Sequence, residues 1–180
     1  MPTIATMSGA QFDALPYEEG RRWELLEGEL IEVPSPTAEH QIIVSNILLS
    51  IRMYLRSHRE GRLVILDVEF ALSEDVRLRP DVCLLLPEKA RQLDRKRIPI
   101  PGAPDLAIEV ISPSERPSES HRKVLSYLQH GVAEVWQIYP ESLALEIHKS
   151  ETRCSLTGEQ QVTTDLLPGF SVPLSLFFES

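Results

Sequence analysis

Polar and apolar residues alternate with period two over Arg22–Leu26 and again over Glu29–Val33. Between them stands Glu27-Gly28, an acidic-Gly turn signal, so the pattern predicts an N-terminal β-hairpin. Upstream, Ser8–Leu15 reads as a short helix, with Ser8 and Gln11 at capping-box spacing and Pro16 as its stop. Downstream, Pro34-Ser35-Pro36 breaks the chain before the longest helical pattern, Ala38–Ser57. There Ile43, Val44, Ile47, Leu48, Ile51 and Leu55 recur on one face of a 3.6-residue period. Leu63–Leu66, Val68–Leu72 and Val82–Leu86 predict strands, and the last (VCLLL) is apolar on both faces, as a central strand would be. A connection rich in Arg and Lys leads to a further apolar strand, Asp105–Ile111, ended by Ser112-Pro113-Ser114. A second helix, about Glu119–His130, is expected to bury Val124, Leu125 and Leu128 and to stop at Gly131. Glu134–Tyr139 and Leu143–Lys149 predict another hairpin, and the apolar tail LLPGFSVPLSLFF is expected to pack on the core. Strands interleaved with two substantial helices predict an α/β or α+β fold with one mixed sheet.

Composition narrows the class. The chain has 180 residues, 42% hydrophobic and 25% charged, which argues against disorder, collagen or coiled coil. No repeat or linker divides it, so one domain over 1–180 is expected, with a core of about 9–178. Cys83 and Cys154 lie far apart and outside any C-x-x-C pair, which argues against a cysteine zinc site or a disulfide framework and fits a reducing cytoplasm. The start, MPTIATMSGAQF, shows no secretory pattern, and no run approaches the ~18 apolar residues of a membrane span. With 27 acidic against 18 basic residues the net charge is −9, which at first argues against a nucleic-acid partner. Locally the balance differs. Basic residues gather at Arg52, Arg56 and Arg59, around Arg77 and Arg79, and at Arg91, Arg95, Lys96 and Arg97. Charges beyond ~8 Å are largely screened at physiological salt, so a local patch decides more than the total. Arg95, Lys96 and Arg97 therefore read either as a solvated surface or as candidate contacts for a phosphate backbone, and for such a partner the acidic total predicts weak, salt-sensitive binding.

Three residues carry the candidate chemistry. Period-two counting puts Leu106, Ile108 and Val110 on one strand face and Glu109 on the other, amid an apolar run. A carboxylate there is costly unless a cation, an Arg partner or a solvated sheet end compensates it. Asp81 follows Pro80 at the mouth of VCLLL; alone, Pro-Asp is a turn signal. Two strand-borne carboxylates that converge would make a hard-oxygen site of the kind Mg²⁺ prefers. Lys123 lies in a stripe with Glu119 and Tyr127 at i, i+4, i+8, readable as a surface Glu–Lys pair or as a cation facing the two acids. The chain holds no G-x-S-x-G, P-loop, G-x-G-x-x-G or H-E-x-x-H motif.

The segments RRWELLEGELIEVPSPTAEHQIIVSNIL, RLRPDVCLLL, PDLAIEVISPSERPSESHRKVLSYLQHGVAEVWQIYP and LLPGFSVPL resemble consecutive blocks of the Uma-two family. That resemblance runs from about Gly9 to the C-terminus. It implies a restriction-endonuclease-like fold within the PD-(D/E)xK nuclease superfamily, with a central mixed sheet flanked by helices. It further implies Asp81 and Glu109 as ligands of Mg²⁺ (Mn²⁺ as substitute) and DNA as substrate. The superfamily lysine usually stands two residues after the acid, where this chain has Ile111; a lysine moved to the next helix corresponds to Lys123. Relatives typically carry Asp at Glu119 and Gly-Glu at His121-Arg122, a change that makes this helix start more basic. His40 and Glu24 match family-like positions and, with Glu119, are auxiliary candidates. The resulting expectation is metal-assisted phosphodiester hydrolysis, with a homodimer suited to cutting two antiparallel strands. The alternatives are an inactive nucleic-acid-binding or protein-interaction module on the same fold, and a hydrolase of small phosphoesters.

Overall fold

A computed structural model describes residues 6–180; residues 1–5, the first part of the start that shows no secretory pattern in sequence, lie outside the described residues. Helix α1 (Gly9–Asp13) carries the expected capping box, Ser8 and Gln11 each bonding the other's backbone N–H. Gly9 has a packing role, since a Cβ there would collide with the Arg77 guanidinium. Strands β1 (Arg22–Leu26) and β2 (Glu29–Val33) form the predicted hairpin. Its turn places Glu27 and Gly28 at φ 54° and 78°, the left-handed region that two-residue hairpin turns require. Helix α2 (Ala38–Ser57) starts at its Thr37 cap.

Beyond α2 come β3 (Leu63–Leu66), β4 (Phe70–Ala71), β5 (Arg77–Leu78) and β6 (Val82–Leu85). The strand expected over Val68–Leu72 pairs only at Phe70–Ala71. The basic connection is not all loop. It forms α3 (Pro87–Gln92) before β7 (Ile100–Pro101). Next are β8 (Leu106–Val110), α4 (Pro117–Gln129), β9 (Glu134–Tyr139) and β10 (Ala144–His148). The chain closes with β11 (Arg153–Thr157), β12 (Gln161–Thr163), β13 (Ser171–Pro173) and a 3₁₀ turn at Leu174–Phe178.

These strands form three sheets where the sequence pattern predicts one. The six-stranded sheet has order β11-β10-β9-β8-β6-β3, parallel only at β8–β9, and is the expected central mixed sheet. The hairpin joins β5, β4 and β7 in a second sheet of order β2-β1-β5-β4-β7, and β12–β13 make the third. One face of the central sheet packs Val82, Leu84, Leu106, Ile108 and Val110 against Ile43, Val44, Ile47 and Ile51 of α2, and Phe170, Leu174 and Phe177 of the tail join that core. On the opposite face, Ala107 and Val135 meet Val124 and Tyr127 of α4 together with Leu26 and Leu78 of the second sheet. No described helix is long and apolar enough to cross a membrane.

Helix α4 begins two residues earlier than the pattern suggests, because Pro117 sits at a first-turn position where its missing N–H costs nothing. Leu125, expected in the core, is 43% exposed, a correction to the predicted face. The helix is turned so that Ser120, Lys123, Val124 and Tyr127 face inward, and one step of ~100° from Val124 carries Leu125 outward.

Candidate active site

The site lies in a cleft between the β1–β2 hairpin, the start of α2, the ends of β6 and β8, and the first turns of α4. Strands β6 and β8 pair antiparallel with Val82 opposite Ile108, so the next step of that register sets Asp81 opposite Glu109 on the same face. The 28 positions between the two acids are thus closed by one strand pairing. Asp81 Oδ2 accepts the Val110 N–H at 2.7 Å, which fixes the carboxylate beside β8. His40, two residues into α2, brings Nε2 to 3.2 Å from the same oxygen. The Thr37 side chain, which accepts the His40 N–H at 3.1 Å, explains how the helix start holds the imidazole there.

Glu109 is buried, and Tyr127 donates its hydroxyl to Oε1 at 2.7 Å. Burial pushes Glu109 well above the ordinary carboxylate range; Lys123 opposes this, while Asp81, Glu24 and Glu115 add to it. Lys123 is buried too, with Nζ 2.7 Å from Glu24 Oε2, 3.9 Å from Glu115 Oε1 and 4.0 Å from Glu109 Oε2. Burial favours the neutral amine, but Glu109, Glu24 and Glu115 together outweigh it and hold Lys123 above the usual lysine range. The group is an ammonium at neutral pH. Glu24, only 3% exposed, accepts the Arg79 backbone N–H through Oε1 at 2.8 Å and turns its other oxygen to Lys123.

The alternative of a surface Glu119–Lys123 pair is not what forms. Glu119 bonds Arg116 at 3.0 Å on the cleft rim. Arg122, which made the helix start look basic, bonds Glu27 at 2.9 Å and Glu29 at 2.7 Å and so ties α4 to the hairpin. The Ser120-Gln137 contact, 2.7 Å, ties α4 to β9 next to Glu109. Arg95, Lys96 and Arg97 are exposed in the connection between α3 and β7 and do not line the cleft.

Glu115 is the residue the sequence pattern missed. It follows Ser112-Pro113-Ser114, a segment informative only as a strand end, and the loop folds it back over Lys123. Burial raises its pKa, Lys123 lowers it, and Glu24 and Asp81 raise it further. Among the described residues no group of three or more His, Cys, Asp or Glu is arranged to hold a metal ion. What converges is a carboxylate pair and a lysine. Asp81 Oδ1 makes no hydrogen bond among the described residues, and Glu109 Oε2 faces Lys123 Nζ at 4.0 Å, beyond hydrogen-bond distance, so both oxygens can take a further partner. One or two protein carboxylates is the number Mg²⁺ ordinarily takes, with waters or phosphate oxygens completing its shell.

Comparison with known proteins bears on the family and the fold. A model of the Uma2 family, described as "Putative restriction endonuclease", matches residues 10–175. Among solved structures, one titled as "a putative nuclease belonging to DUF820" from Anabaena variabilis ATCC 29413 is similar with a TM-score of 0.81. That likeness covers 96% of this chain and 97% of the other at 20% identity, and it shows a shared restriction-endonuclease-like fold. No curated protein matches the chain. With nearly the whole length matched, the chain belongs to the Uma2 family, the family of that description, and has a restriction-endonuclease-like fold.

Proposed function

We propose that this protein is a metal-dependent endonuclease that hydrolyses DNA phosphodiester bonds. The observation that carries the reading is the juxtaposition of Asp81 and Glu109 on paired strands with a buried Lys123 ammonium 4.0 Å from Glu109. Asp81 and Glu109 would hold Mg²⁺, with Mn²⁺ as a substitute, and the bound ion supplies Lewis acidity toward phosphate and a water of lowered pKa. The chain's own groups do the positioning. His40 and the Val110 N–H orient Asp81, and the Tyr127 hydroxyl orients Glu109. Glu24 and Glu115 keep Lys123 charged and in place, which suits an electrostatic clamp on developing negative charge better than a neutral general base. Glu119 stands at the rim, where its pair with Arg116 leaves it outside the central cluster. A two-fold dimer would present two such clefts to antiparallel strands.

The test is to incubate supercoiled, linear and single-stranded DNA with Mg²⁺ or Mn²⁺ and wild type, Asp81→Ala or Lys123→Ala. Metal-dependent cutting by wild type that both variants lose is expected. Equal nicking by all three proteins contradicts the assignment, and binding without cleavage would instead indicate a binding module on this fold.

A further inference from the structure

The cations of this chain fall into two groups. Of 18 Lys and Arg, eleven sit in ion pairs, which leaves seven without a carboxylate partner among the described residues. Residues 1–5 contain no Asp or Glu that could supply one. The seven are not scattered. Arg52 and Arg56 lie on the C-terminal turns of α2 with Arg59 just past its His58 cap, and Arg91, Arg95, Lys96 and Arg97 run from α3 toward β7. All seven are exposed.

The two groups flank one edge of the central sheet. Strand β3 is that edge, pairing only with β6 among the described residues. Val64 of β3 faces the core that α2 covers, while Leu63 and Ile65 face the opposite cluster, on which Ala90 and Leu93 of the α3 segment pack. At the far end of β3 the Asp67 N–H donates to the Asp81 carbonyl, so the edge leads to the strand end that carries a site carboxylate.

The cleft itself is poorly equipped to hold a polyanion. Among the described residues it is lined by seven carboxylates against three cations, Arg22, Arg79 and Lys123. Each of those cations already has a partner, in Asp67, Glu69 and Glu24. A phosphodiester chain approaching it meets a formal excess of four negative charges and no free guanidinium. On a molecule of net charge −9, cations left unpaired on both sides of one edge are the available counter-charge.

We infer that the nucleic acid is gripped outside the cleft, along the β3 edge, by Arg52, Arg56 and Arg59 on one side and Arg91, Arg95, Lys96 and Arg97 on the other. The inference rests on the DNA-cleaving reading of the cleft and assigns the substrate's backbone contacts. Six of the seven residues are Arg, whose planar fork matches phosphate bidentately. Arg52 and Arg56 stand one helical turn apart, ~6 Å along α2, and Arg59 follows just past its His58 cap, so the row can face successive charges of a strand that carries one per ~3.4 Å of axis. An acidic protein segment is the competing occupant, and the test separates the two.

Fluorescence anisotropy of a labelled duplex in EDTA, where no cleavage occurs, measures this grip. Two charge-reversed triples, Arg52→Glu/Arg56→Glu/Arg59→Glu and Arg95→Glu/Lys96→Glu/Arg97→Glu, are compared with wild type and with the charge-preserving Arg52→Lys/Arg56→Lys/Arg59→Lys across a salt series. Each reversed triple is expected to weaken binding at least ~10-fold and to lower the slope of log affinity against log salt by about 2–3, whereas the Lys triple keeps the wild-type slope and loses less affinity than either reversed triple. Circular dichroism on every variant guards against unfolding. If wild type cleaves DNA and both reversed triples bind and cut as wild type does, this inference is overturned while the cleft assignment stands. If wild type neither binds nor cleaves DNA but binds polyglutamate, and the triples lose that binding, both are overturned and the edge docks an acidic protein.

Discussion

Lys123 shows how far a buried charge depends on its neighbours. Its Nζ lies within 4.0 Å of Glu24, Glu109 and Glu115, so removing it would strand three carboxylates in a desolvated site. Lys123→Met is expected to cost ~3–5 kcal/mol in urea unfolding, with part recovered in the double variant Lys123→Met/Glu24→Gln. Additive losses in the double variant would mean that Glu24 and Lys123 are not coupled. Glu109 gives a pH dependence of definite sign. Between its ordinary value of 4.5 and its raised native value, the folded protein holds a proton that the unfolded chain has lost. Its contribution to stability is therefore complete at acid pH and is lost as the pH rises through that window. Glu109→Gln should make unfolding free energy fall less steeply above about pH 4.5 than in wild type. A steeper fall in the variant would contradict the burial argument. Neither effect was legible from residue types alone. Period-two counting singled out Glu109 as a misplaced charge, but nothing local revealed that Glu115 folds back over Lys123 or that Tyr127 ends on Glu109.

Elements matter here as carriers of separate parts of one cluster. The hairpin supplies Glu24, β6 and β8 are entered and left at Asp81 and Glu109, and α4 supplies Lys123 and Tyr127. Arg122 clamps two of these carriers together through Glu27 and Glu29 at the hairpin turn. Because that contact is a third exposed, Arg122→Ala should cost no more than ~1 kcal/mol of stability. It should still slow single-turnover cleavage, since it frees α4 from the strand that holds Lys123 in place, and DNA affinity should be unchanged. Cleavage at the wild-type rate would show that the clamp is dispensable. The long elements were readable because their periods are long: the hairpin and α2 match their predicted bounds. Strands β5 and β7, two residues each, have no period to read, and so the second sheet stayed hidden. The Leu125 error has a related cause. Apolar spacing alone favours Val124-Leu125-Leu128 inward, whereas the helix turns its charged and aromatic stripe to the acids.

At the scale of the molecule, a net charge of −9 and an acid-lined cleft set the terms on which any phosphate substrate is met. Screening makes the surface clusters matter locally, while the cleft stays repulsive until its excess of carboxylates is neutralised. Fold class was open to inference from sequence, and so was the expectation that Asp81, Glu109 and Lys123 lie together. The burial of Lys123, and the way its partners are drawn from hairpin, loop and strand, needed the chain folded. The central claim is that Asp81 and Glu109 serve a metal-dependent cleavage of DNA. Single-turnover cleavage of an end-labelled duplex by wild type and Glu109→Gln, each with Mg²⁺ and with EDTA, tests it most directly. The account predicts cutting by wild type only when metal is present and a rate at least ~10²-fold lower in the variant. Equal rates with and without metal, or an undiminished rate in Glu109→Gln, would contradict it.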